Sequence, residues 1–87
     1  MASPKHLTRT LYEQWETVEA LVRATREMPA FSEEQVLAAI RQAQPALDDV
    51  QVREALRRLL ASGVLETQSR SESFVVNAHV LEFVRGL

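Results

Sequence analysis

An 87-residue chain has room for one domain and one core, and its 46% hydrophobic and 25% charged residues, with only two Gly and three Pro, exclude a disordered or linker-rich polypeptide. The absence of cysteine excludes disulfides and thiolate metal sites, and a net charge of -2 with a pI near 5.6 argues against a strongly basic nucleic-acid binder, whose pI would exceed about 9. No apolar run approaches the roughly 18 residues of a membrane span, and Met1-Ala2-Ser3-Pro4-Lys5-His6 lacks the apolar core of a secretory signal, so a soluble, cytoplasmic protein without a membrane partner is expected.

Leu7, Leu11, Trp15, Val18 and Val22 recur at helical spacing and predict one helix running to about Glu27, ended by Met28-Pro29-Ala30. At Phe31-Ser32-Glu33-Glu34-Gln35-Val36 a second helix starts, with Ser32 as cap, Gln35 reaching back and Phe31 stapling onto Val36. The same design recurs after a turn containing Pro45: Asp48 caps, Gln51 reaches back, and Leu47 faces Val52. Val52, Ala55, Leu56, Leu59 and Leu60 form the apolar face of this third helix, which Ser62-Gly63 ends, Gly63 being free to take the left-handed conformation.

Beyond Gly63 the period changes. Val64-Leu65-Glu66-Thr67 and Phe74-Val75-Val76 are short strand-like runs around the polar stretch 68–73, which predicts a hairpin. Asn77 then caps a last helix with Val80, Leu81 and Val84 at helical spacing.

Three helices, the last running directly into Ser62-Gly63-Val64-Leu65 and then a hairpin, resemble the winged helix-turn-helix superfamily. The expected class is therefore mainly α with a small β-hairpin: a winged helix over residues 17–77, a helical extension in 1–16 and a C-terminal helix in 78–87. In that superfamily the third helix commonly enters the DNA major groove and the hairpin, or wing, touches the adjacent backbone, while other members use the scaffold for dimerisation or subunit assembly. The flanking helices also look like winged-helix modules of larger assemblies, including subunits of chromosome-organising complexes.

The leading expectation from the resemblance is a non-catalytic module that associates with double-stranded DNA through Gln51, Arg53, Arg57 and Arg58 on the third helix and Arg70 at the hairpin tip, with Arg57, Arg58 and Arg70 as the principal contacts. Gln51 could pair with adenine, yet its capping role competes for the same side chain. Asp48 and Asp49 stand at the helix start and Glu54 in the middle of its outward face, where phosphates would be repelled; alternatively, the aspartates complement the helix dipole and Glu54 pairs with Arg58.

The competing expectation is a protein partner or self-association through the terminal helices. Leu7, Leu11, Trp15 and Val18 would form its surface, and Val80, Leu81, Phe83, Val84 and Leu87 raise the same question at the other end. Trp15 is either an interface anchor or the largest core residue under the first helix. An enzyme accessory domain is a weaker third reading.

No catalytic residue, cofactor or metal site is expected. Gly63 and Gly86 both read as helix ends, not a phosphate loop; His6 and His79 are isolated, and the adjacent pairs Glu33-Glu34 and Asp48-Asp49 point in different directions.

Overall fold

In the computed structural model, which describes residues 4–68 and 72–86, both expected capping boxes are formed. The Ser32 hydroxyl accepts from the Gln35 N–H at 3.2 Å while the Gln35 amide oxygen accepts from the Ser32 N–H at 2.8 Å. Asp48 and Gln51 repeat the exchange at 2.8 and 3.0 Å. Each box satisfies two otherwise orphaned donors, and so fixes where helices α3 (Glu33–Ala43) and α4 (Asp49–Ala61) begin.

The described residues form a mainly helical fold with one two-stranded antiparallel sheet. Ahead of α3 lie α1 (Pro4–Glu13) and α2 (Trp15–Ala24); after α4 come β1 (Leu65–Thr67), β2 (Phe74–Val76) and α5 (Ala78–Arg85). Gly63, at φ 87°, turns α4 into β1, so that Val64 and Leu65 return to the core. The strands pair Leu65 with Val76, Glu66 with Val75 and Thr67 with Phe74. Asn77 joins the hairpin to both neighbours: its backbone N–H donates to Val64 O, its side-chain amide donates to Gly63 O, and its amide oxygen accepts from the His79 N–H to cap α5.

Phe31, expected to staple onto Val36, is buried in the core and also pairs through its backbone. Its N–H donates to Phe74 O at 2.8 Å and its carbonyl accepts from the Phe74 N–H at 2.7 Å, a backbone bridge that attaches the segment before α3 to the hairpin. One core runs beneath all these elements, from Val18 and Leu21 through Ile40 and Leu59 to Val80. Burying each large aliphatic side chain there contributes about 1.5 to 3 kcal/mol relative to leaving it exposed.

The first helix departs from the apolar pattern. Instead of one helix to about Glu27, the chain bends at Gln14 (φ -119°, ψ 34°), giving α1 and α2, although the Gln14 N–H still donates to Thr10 O and the Gln14 carbonyl still accepts from the Val18 N–H. The inward face at the bend is partly polar: Thr10, Gln14 and Thr17 are all buried. Gln14 donates from its amide nitrogen to Ala55 O of α4 at 3.1 Å, a bond that ties the bend to the core. The inward face buries Leu21 together with Leu11 and Val18 and leaves Trp15 at the edge, half-buried. Among the described residues no helix is long and apolar enough to cross a membrane.

Candidate functional site

Two surfaces compete for function, and the outward face of α4 is the one the sequence singles out. With Val52, Ala55, Leu56 and Leu59 turned inward, Val50, Gln51, Arg53, Glu54, Arg57 and Arg58 are left exposed, as the helical wheel requires. Val50 stands out of the first turn at 76% exposure, so the leading end of the face presents an apolar side chain beside Asp48 and Asp49.

Every arginine of this helix lies within 4.0 Å of a carboxylate. Arg57 is 3.5 Å from Glu54; Arg58 is 4.0 Å from Glu54 and 4.0 Å from Glu13 of α1; Arg53 is 3.9 Å from Glu33 of α3. Arg41 of α3 likewise approaches Asp49 at 3.3 Å. Such exposed pairs add little stability, about 0 to 1 kcal/mol each, but they cancel field. Around this face four guanidinium groups (Arg41, Arg53, Arg57, Arg58) stand among five carboxylates (Glu13, Glu33, Asp48, Asp49, Glu54).

Gln51 is committed locally, its amide oxygen accepting from the Asp48 N–H. It shares with Glu13, Gln14, Val50, Glu54 and Arg58 a groove of about 330 Å³ between the α1–α2 bend and α4. A duplex reaching Gln51 or Arg58 would therefore also meet Glu13. Arg70, the expected contact at the hairpin tip, lies outside the described residues.

The four expected interface residues divide. Leu11 and Val18 are 4% and 1% exposed, packed in the chain's own core and closed to a partner. Leu7 and Trp15 are only partly buried against that core. Trp15 meets Phe83 of α5 edge-on, with ring centroids 6.5 Å apart and planes at 81°, a favourable aromatic geometry, and Phe83 remains 43% exposed. At the other end Val80 is buried, Leu81 and Val84 pack partly against the core, and Leu87 lies outside the described residues.

Beside Trp15 a second groove, of about 270 Å³, opens between α2 and α5, lined by Trp15, Glu19, Val22, Arg23, Arg26, Val84 and Arg85. Apolar periodicity marked Trp15 and Val84 but gave no reason to join Arg26 to Arg85; only the packing of α5 on α2 brings them together. Among the described residues no group of three His, Cys, Asp or Glu side chains is placed to hold a metal ion. Compared with protein-family models, with curated proteins and with solved structures, the chain matches none of them.

Proposed function

We propose that this chain is a non-catalytic winged-helix module that works by associating with another protein surface, and that α4 does not read DNA. The winged-helix assignment is supported by the order of α2, α3, α4 and hairpin, with the left-handed Gly63 carrying Val64 and Leu65 back into the core. The observation that carries the functional reading is the pairing of Arg53, Arg57 and Arg58 with carboxylates from three helices. Phosphate binding draws its free energy from protein cations that displace the counterions condensed on the nucleic acid, and a compensated face on a chain of net charge -2 offers few such cations.

Fluorescence anisotropy of a labelled mixed-sequence duplex, titrated with the chain at about 50 and about 200 mM salt, tests this reading, since phosphate contacts weaken steeply over that range. No micromolar binding is expected at either salt concentration. Salt-sensitive micromolar binding that disappears in Arg57→Glu with Arg58→Glu would overturn it and restore α4 as a DNA-contacting helix.

A further inference from the structure

The groove between α2 and α5 differs from the α4 face in the state of its arginines. Arg23 is engaged by Glu19 at 2.9 Å, but Arg26 and Arg85 have no carboxylate within 4.0 Å among the described residues. Three guanidinium groups against one carboxylate line a space whose walls include the Trp15 ring, Val22 and Val84. Arg23 and Arg85 also lie in the last turns of their helices, where a cation complements the helix dipole; Arg26 lies beyond the end of α2. Dipole compensation therefore leaves Arg26 unexplained.

We infer that this groove docks an acidic segment of another protein, one apolar side chain seated against Trp15, Val22 and Val84 and flanking carboxylates held by Arg26 and Arg85. The inference rests on the reading of the chain as a protein-association module and specifies its surface and the chemistry of its partner. Charge complementarity selects the occupant: the groove is cationic while the chain as a whole is anionic, so an acidic partner is drawn to this place and repelled elsewhere. Tryptophan and arginine around a small apolar recess are the residue types that concentrate binding energy in protein interfaces. A nucleic-acid backbone fits less well, because a polyanion needs a run of free cations along its length, and this recess is the size of one or two side chains.

Trp15 is the only tryptophan, so its emission reports on the groove directly. The probe is a capped Glu-Asp-Leu-Glu-Asp peptide, titrated into the whole chain at about 50 and about 300 mM salt, with a Lys-Lys-Leu-Lys-Lys peptide, a Glu-Asp-Gly-Glu-Asp peptide and a short DNA duplex as comparisons. A saturable change in Trp15 emission is expected with the acidic leucine peptide, weakened at least about tenfold by Arg26→Glu with Arg85→Glu and kept within about twofold by Arg26→Lys with Arg85→Lys. Both positions are exposed, and circular dichroism checks that the variants remain folded. No change in emission, equal binding of the lysine or glycine peptide, or tighter binding of the duplex through Arg26 and Arg85 would each overturn the groove proposal. A silent peptide titration together with no α4-dependent DNA binding would remove the groove while leaving the association reading standing.

Discussion

The α4 face and the α2–α5 groove hold the same raw material, arginine beside apolar side chains, yet the fold treats them oppositely. On α4 each guanidinium group is met by a carboxylate, two of those carboxylates being brought from α1 and α3. In the groove Arg26 and Arg85 have no carboxylate within 4.0 Å among the described residues and line the same recess as an aromatic residue. Arginine content is therefore a poor guide to a binding surface, and the difference lies in what tertiary packing places opposite each cation.

Both surfaces depend on one core, so the largest effect comes from removing it. Leu59→Ala, at a fully buried position of α4, is expected to cost about 3 to 5 kcal/mol in urea unfolding and to abolish any binding at either surface. If the groove kept its peptide response in a variant destabilised this far, the two regions would not share a folding unit.

Intermediate in size is the α4 cap. Asp48→Ala removes the acceptor for the Gln51 N–H and is expected to cost about 1 kcal/mol, with the α2–α5 groove unaffected in the Trp15 titration. A loss of peptide binding in that variant would show that the groove depends on the start of α4.

The smallest change in stability sharpens the comparison most. Glu13→Ala with Glu54→Ala strips Arg57 and Arg58 of their carboxylates and is expected to alter stability by less than about 1 kcal/mol. It should raise low-salt duplex affinity by about tenfold. An unchanged affinity would mean that charge compensation does not govern how the α4 face meets DNA.

Local chemistry was legible in the sequence. The two capping boxes, the inward face of α4, the turn at Gly63 and the Asn77 cap all follow from residues a few positions apart, where covalent geometry decides which side chain can reach which backbone group. The bend at Gln14 was not legible, because Thr10, Gln14 and Thr17 occupy inward positions that an apolar stripe passes over. Leu11 and Val18, which the apolar stripe offered to a partner or to the core alike, pack in the chain's own core. The Glu54–Arg58 pair could be read from its i,i+4 spacing, whereas Arg58–Glu13 and Arg53–Glu33 arise only when separate helices are docked. The groove beside Trp15 belongs to that second class, as does the Phe31–Phe74 bridge.

The two bonds between Phe31 and Phe74 close a long loop that contains α3, α4 and β1. Closing such a loop costs chain entropy that local contacts must first offset, so the two capped helices are expected to form early in folding and the bridge late. Once closed, the bridge encloses α3 and α4 and leaves α1, α2 and α5 outside it. The outer helices can then open without breaking the loop, and amide hydrogen exchange should run fastest in α1 and α5 and slowest in α4.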